Sequence, residues 1–177
     1  LARTMADFNI GAVGFVDGVS EPVIRAAVQE ARGKGRISVI MIETPANPMW
    51  GITDIAAVAR IAHDAGALLG GDSTAATPVL TNPLKLGADV VMHSATKYLN
   101  GHSDVIAGVL TFARKDAYFD RAERLRGKLG AILGPFEASL LLRGLRTLHV
   151  RVRHQCESAM NIARHFAREP RIAEVQY

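Results

Sequence analysis

Apolar blocks alternate with amphipathic stretches along this chain. The run AVGFV (residues 12–16) predicts a first strand. Ser20 as a candidate N-cap and Pro22 in the first turn predict a helix that ends at Gly33. Its apolar face would carry Val23, Ala27, Val28 and Ala31. Residues 12–33 are therefore predicted to form a strand followed by a helix.

The following blocks continue this alternation. ISVIMIE (residues 37–43) is a nearly continuous apolar run, typical of a strand buried on both faces of a parallel sheet. Thr53 would cap a second helix that closes at Gly66. One side of that helix would carry Ile55, Val58, Ile61 and Ala62. ALLGGD (67–72) and ADVVMH (88–93) predict two more strands. The alternation predicts an α/β fold with a mostly parallel sheet sandwiched by helices.

The pattern changes in the last third of the chain. DVIAGVLTF (residues 104–112) predicts a further strand, and helical spacing follows. Gly144 is predicted to separate a helix that starts near Pro135 from a longer one that starts near Thr147. The longer helix would carry an apolar stripe of Leu148, Val152, Ala159, Ile162 and Phe166.

Composition narrows the class of protein. With 177 residues and 49% hydrophobic content, the chain is expected to form one globular domain. No apolar run approaches the roughly 20 residues of a membrane span, and we expect neither a span nor a signal peptide. The chain starts without methionine, so we expect its N-terminus not to be native. The single Cys156 is expected to be an inert thiol in a reducing cytoplasm.

The formal charge of +4 comes largely from arginines between positions 121 and 171. No aromatic residues are interleaved with them in a nucleic-acid-binding pattern, so a solvated helix face is expected and nucleic acid is not a predicted partner. His149 and His154 lie five residues apart on a predicted helix and point in different directions. No metal site is predicted.

Polar segments follow three of the predicted strands, at residues 43–48, 72–74 and 93–97. Ligands of open α/β sheets bind at the carboxyl ends of the strands, so these segments are expected to converge on one crevice. The sequence contains no G-x-G-x-x-G, Walker A, G-x-S-x-G or H-E-x-x-H motif. The crevice is therefore not predicted to be a dinucleotide, triphosphate, hydrolase-fold or zincin site.

Lys97 allows two kinds of chemistry. Ser94 and Lys97 match the S-x-x-K motif of penicillin-binding enzymes, whose partner motifs S-D-N and K-T-G are absent. A desolvated lysine can alternatively form a Schiff base with pyridoxal 5'-phosphate (PLP). Ser94 and Thr96 could donate to the phosphate, and the Asp72 carboxylate could pair with the ring nitrogen.

Four segments together resemble a known family. These are ETPANP (43–48), DSTAATP (72–78), NPLKLGADVVMHSATKYLNGHSDVIAGV (82–109) and GPFEASLLLRGLRTL (134–148). They resemble, in the same order, the Cys/Met-metabolism enzymes dependent on PLP, the cystathionine γ-synthase, γ-lyase and β-lyase group. The resemblance implies the fold-type I large domain over residues 1–146, without its N-terminal part. Residues 147–177 would be a long helix leading into a C-terminal domain that is mostly absent.

The resemblance also implies roles for single residues. Lys97 matches the lysine that forms the internal aldimine and shuttles protons, and Asp72 matches the partner of the pyridinium nitrogen. Ser94 and Thr96 match the phosphate-binding hydroxyls. The remaining two matches are a threonine beside the ring and an asparagine near the ring oxygen and substrate carboxylate, Thr74 and Asn47.

The implied activity is γ-elimination or γ-replacement on sulfur-containing or O-acylated amino acids by a cytoplasmic homotetramer. β-Lyase or O-acylhomoserine sulfhydrylase activity is the close alternative. The chain departs from the family pattern at Ser73, Ala75, Gly70 and Gly71. It also lacks counterparts of the family's N-terminal tyrosines and arginine and of its C-terminal carboxylate-binding arginine, so a noncatalytic PLP-binding remnant or interaction module stays open.

Overall fold

The computed structural model describes residues 20–177, in which helices flank a four-stranded sheet. The predicted strand at residues 12–16 lies outside the described residues. The helices are α1 (Glu21–Lys34), α2 (Ile55–Asp64), α3 (Thr77–Leu80), α4 (Ala117–Leu129) and α5 (Pro135–Phe166), with a 3-10 turn at Pro83–Leu86. The strands are β1 (Val39–Glu43), β2 (Leu68–Asp72), β3 (Val90–Ser94) and β4 (Gly108–Phe112).

The sheet has the order β1-β2-β3-β4. β1 pairs parallel with β2 through the predicted helical crossover. β2 pairs parallel with β3 through the Pro-containing segment, which carries α3 and the 3-10 turn. β4 returns antiparallel beside β3. The carboxyl ends of β1, β2 and β3 therefore lie at one edge of the sheet.

One face of the sheet is covered by α1 and α2. Val58, Ile61 and Leu69 are at most 3% exposed in this core, and Ile24 of α1 is also buried. Each fully buried apolar side chain of this size stabilises the fold by roughly 1.5–3 kcal/mol. The predicted apolar side of α2 is confirmed, whereas α1 is anchored by Ile24 rather than by the exposed Val23.

The opposite face of the sheet is only partly covered by α4. An open apolar cleft of about 330 Å³ lies between them, lined by residues that include Met92, Leu110 and Leu125. Val39 and Met41 of β1 are 47% and 56% exposed. The prediction that this strand is buried on both faces is therefore wrong for the described residues, in which only the face bearing Ile40 and Ile42 packs against the helices.

Two helix boundaries differ from the predicted ones. Ser20 lies at the N-cap of α1 without a side-chain cap bond, and the helix passes through Gly33 to Lys34. Asp54, and not Thr53, caps α2, because its carboxylate accepts a hydrogen bond from the Ala57 N–H at 2.9 Å. Thr53 instead donates its own N–H to the hydroxyl of Thr44.

The last predicted strand is shorter than expected. β4 begins at Gly108, because Asp104 and Ala107 before it are used in other contacts. The Asp104 carboxylate accepts hydrogen bonds from the Asn100 amide at 2.7 Å and from the Arg143 guanidinium at 2.8 Å. The Ala107 N–H donates to the hydroxyl of Thr96.

Helix α5 is continuous, so the predicted break at Gly144 is wrong. Gly144 is there because the backbone of Asn100 lies against the helix. A Cβ at this position would overlap the Asn100 carbonyl oxygen and lie 2.8 Å from its carbonyl carbon. A glycine that was expected to end a helix instead allows a close approach between two segments.

A second apolar cluster forms beside this approach. Ala95 and Leu99, from the turn after β3, pack against Leu148 and Val152 of α5. All four are at most 7% exposed. The turn that contains Lys97 is therefore attached to the long helix.

No helix in residues 20–177 is long and apolar enough to cross a membrane.

Replacing Gly144 with Ala is expected to lower the free energy of unfolding by about 1–3 kcal/mol, because the added Cβ overpacks against the Asn100 backbone. Urea unfolding of the purified protein measures the change. Gly127→Ala in α4 is the matched control, because a Cβ there meets nothing within 4 Å. It should raise stability by about 0.5–1 kcal/mol. Equal effects of the two substitutions would contradict the close approach.

Candidate functional site

The three predicted polar segments meet at the carboxyl edge of the sheet. Glu43 and Asp72 are register partners at the ends of β1 and β2. The Thr44 N–H donates to the Asp72 carbonyl at 3.2 Å, and the Ser73 N–H donates to the Met92 carbonyl at 3.0 Å. Sheet pairing thus continues one residue past the strand ends and fixes where each loop starts.

Asp72 and Thr74 form a tight turn after β2. The Asp72 Oδ1 atom accepts a hydrogen bond from the Thr74 N–H at 2.9 Å, which orients the half-buried carboxylate. The Thr74 hydroxyl accepts a hydrogen bond from the Ser94 N–H at 2.8 Å. Thr74 therefore joins the end of β2 to the end of β3, and three predicted site residues form one hydrogen-bonded set.

Lys97 lies in the turn that follows β3. Its N–H donates to the Ser94 carbonyl at 3.1 Å, and its carbonyl accepts from the Gly101 N–H at 2.7 Å. Ala95 and Leu99 are buried on either side of it, whereas Lys97 is exposed. The turn thus presents this amine on its open side, three residues from Ser94.

Thr96 and Asn47 occupy different positions at this edge. The half-buried Thr96 hydroxyl bonds with both the N–H and the carbonyl of Ala107, at 3.0 and 3.3 Å. Asn47 is exposed in the loop after β1, and its N–H donates to the Glu43 carboxylate at 3.3 Å. The Thr44–Pro45 and Asn47–Pro48 peptide bonds in that loop are cis. Thr96 anchors the Lys97 turn, and Asn47 is connected to the site through Glu43.

His93 was not among the predicted site residues. The side chain is 5% exposed, and its Nε2 atom has no hydrogen-bond partner within residues 20–177. Burial lowers the pKa of this imidazole below 6.5, and the nearby negative charge of Asp72 offsets part of that shift. The sequence feature that could have identified His93 as a site residue was its position next to Ser94 on a predicted buried strand.

No group of three or more metal-ligating side chains occurs in the part of the chain that the structure describes. The carboxylate, amine and hydroxyl groups of Asp72, Lys97 and Ser94 are instead the polar groups that the fold brings to this edge.

A family model described as Cys/Met metabolism PLP-dependent enzyme matches residues 3–177. Cystathionine beta-lyase of Coxiella burnetii is 39% identical over 92% of this chain and 41% of that protein. L-methionine gamma-lyase of Pseudomonas putida is 44% identical over 78% of this chain and 35% of that protein. The chain thus spans about two fifths of the length of the curated relatives it matches.

The crystal structure of an apo methionine gamma lyase from Micromonospora echinospora superposes with a TM-score of 0.86 and 36% sequence identity. The match covers 95% of this chain and 45% of the other. This likeness confirms the predicted fold class, the mostly parallel α/β architecture of fold-type I enzymes.

The buried His93 should make stability depend on pH. Because its pKa is lowered on folding, the unfolded chain binds more protons between that lowered pKa and 6.5. Its contribution to stability is therefore complete above pH 6.5 and is lost as the pH falls through the lowered pKa.

Chemical unfolding at pH 7.5 and at pH 5.5 checks this dependence. The loss of stability between the two conditions should be smaller in His93→Gln than in the unmodified protein. His149→Gln, at an exposed position of α5, is the control and should leave the loss unchanged. The same loss in all three proteins would contradict the role of His93.

Proposed function

Since this chain belongs to the Cys/Met metabolism PLP-dependent enzyme family, we propose that the protein expressed from its complete reading frame catalyses γ-elimination or γ-replacement. Its substrates would be sulfur-containing or O-acylated amino acids. The observation that carries this proposal is that the exposed Lys97 donates its backbone N–H to Ser94, which belongs to the hydrogen-bonded set of Asp72, Thr74 and Ser94.

The residues present fit PLP. A pyridinium nitrogen needs a fixed carboxylate, and the Thr74 N–H orients that of Asp72. A phosphate needs hydrogen-bond donors, and the Ser94 hydroxyl at the end of β3 could supply one. The Thr96 hydroxyl could donate a hydrogen bond to the phosphate in place of the one that it donates to the Ala107 carbonyl. Within residues 20–177, no carboxylate forms a salt bridge with Lys97 that would compete for its amine.

PLP, when bound, supplies an electron sink for charge that develops on the substrate α-carbon. The proposed work of this chain is to place groups around it. Asp72 would hold a proton on the ring nitrogen, and Ser94 and Thr96 would hold the phosphate. Thr74 would keep the carboxylate in place beside the ring, and Asn47 would orient the substrate carboxylate.

Lys97 has two proposed tasks. Its Nζ atom would hold the cofactor covalently until an amino acid takes its place. The released amine would then take the proton from the substrate α-carbon and return protons to the carbons farther along the side chain. The sequence led us to expect a desolvated lysine, but Lys97 is exposed in the described residues. Its flanking residues are buried and hold the backbone, so the amine can move, and this supports its use.

γ chemistry is our first choice, supported by the gamma-lyases among the relatives of this chain. Cystathionine β-lyase or O-acylhomoserine sulfhydrylase activity is the alternative. A noncatalytic PLP-binding protein is the candidate of another class.

We also propose a cytoplasmic homotetramer. Large exposed apolar side chains support assembly: Met41, Ile106 and Phe136 are 56%, 89% and 72% exposed in the isolated chain. Light scattering of the purified protein should give the mass of four chains. A monomer would contradict the assembly but not the chemistry.

Lys97→Ala should abolish the long-wavelength absorption band that lysine-bound PLP gives to the purified protein. It should also lower turnover by at least about 10²- to 10⁴-fold, the usual contribution of a positioned acid–base group. Lys85→Ala, at an exposed lysine of the 3-10 turn, is the control and should keep both properties. A band that persists in Lys97→Ala would contradict the assignment.

The products of cystathionine distinguish the candidate reactions. γ-Elimination gives cysteine and 2-oxobutyrate, whereas β-elimination gives homocysteine and pyruvate. Replacement requires an O-acylhomoserine and a thiol. A band without turnover of any of these would favour the noncatalytic candidate, and no band with acylation of Ser94 by a β-lactam would favour the S-x-x-K chemistry.

A further inference from the structure

One arginine of α5 connects the long helix to the Lys97 turn. The Arg151 Nη1 atom donates to the carbonyl of Tyr98 at 3.0 Å. Its Nη2 atom donates to the Gly144 carbonyl at 2.8 Å, and its Nε atom donates to the Thr147 hydroxyl at 3.0 Å. Two of the three bonds fix the guanidinium to its own helix. The third bond therefore holds the carbonyl of Tyr98, the residue that directly follows Lys97, at a fixed place relative to α5.

Two glycines allow this contact. Gly101 has φ +72°, and a Cβ there would overlap the Arg151 guanidinium. Gly144 lets the Asn100 backbone lie against the helix, as described above. The contact between the turn and α5 therefore requires glycine at both positions. The Arg151 guanidinium fills the space where a side chain at position 101 would lie.

The surrounding contacts hold the same segment from other sides. The turn is packed on α5 through Ala95 and Leu99. Asp104 receives hydrogen bonds from Asn100 and Arg143, which lower the pKa of its carboxyl, the bond from Asn100 first. Arg151 differs from these contacts because it bonds to the backbone at the position next to Lys97.

We propose that Arg151 is a positioning residue for Lys97, an inference that rests on the proposed function. By fixing the Tyr98 carbonyl, it holds the backbone from which the Lys97 side chain extends. Lys97 then keeps a constant relation to Asp72 at the end of the neighbouring strand. Arg151 touches neither reacting group and acts only through the turn.

The task requires an arginine. Three acceptors lie around one guanidinium, and its planar fork donates to all of them at once. A lysine in the same place carries a single ammonium, which cannot reproduce the fork. Arg151→Lys should therefore retain part of the effect, and Arg151→Ala should lose it.

The test uses the protein from its complete reading frame, loaded with PLP. The first readout is the rate at which PLP is lost into a trapping protein, and the second is the pH midpoint of the long-wavelength band. In Arg151→Ala, PLP loss should be about tenfold faster and kcat about 10- to 100-fold lower, with KM changed less, as expected for a misplaced group. The midpoint should shift by at least about 0.5 pH units, a threefold change in proton affinity.

Guanidinium ion and a neighbouring arginine provide the controls. Millimolar guanidinium should restore part of the PLP retention and of kcat in Arg151→Ala. Arg151→Lys should be intermediate, and it is the variant to measure if Arg151→Ala does not fold. Arg153→Ala, at an exposed position two residues along α5, should behave as the unmodified protein.

One outcome would overturn the role of Arg151, and a different outcome would overturn the proposed function. Arg151 variants with lowered thermal stability but unchanged PLP loss, band midpoint and kcat would reduce Arg151 to a fold-stabilising residue. An unmodified protein with no PLP band would overturn the proposed function itself, before any variant is compared.

Discussion

Parallel pairing of β1, β2 and β3 is the constraint on which the site depends. It brings three strand ends to one edge, and hydrogen bonds beyond the strands then fix the loops that follow. Asp72 is oriented by a turn of its own loop, and Thr74 connects that turn to the N–H of Ser94. The polar groups are thus held by backbone geometry, which keeps their positions largely independent of the surface around them.

Much of this arrangement could be predicted from the sequence. The apolar runs located β2 and β3, and the polar residues that follow them indicated that these loops meet at one edge, because parallel strands require it. The apolar side of α2 was equally clear, since the four predicted positions, all of them buried, repeat at helical spacing. These are features that local patterns determine.

The predictions that failed concern contacts between distant segments. Gly144 has the sequence signature of a helix end, and only the approach of Asn100, 44 residues earlier, explains why the helix continues through it. β4 starts late because Asp104 bonds to Arg143 of α5 and Ala107 bonds to Thr96 of the Lys97 turn. The exposure of Met41 depends on what covers the second face of the sheet, which the periodicity of one strand cannot reveal.

Helix α5 is long and unbroken, so a rotation at one point displaces its far end. Its 32 residues make a rod of about 48 Å, and the Lys97 turn is attached between its first third and its middle, at Gly144 and Arg151. Because Phe166 lies about 33 Å beyond Gly144, a tilt of about 5° around that point moves the far end of the helix by about 3 Å. A rigid rotation of α5 at the Lys97 turn would therefore produce its largest displacement at Phe166.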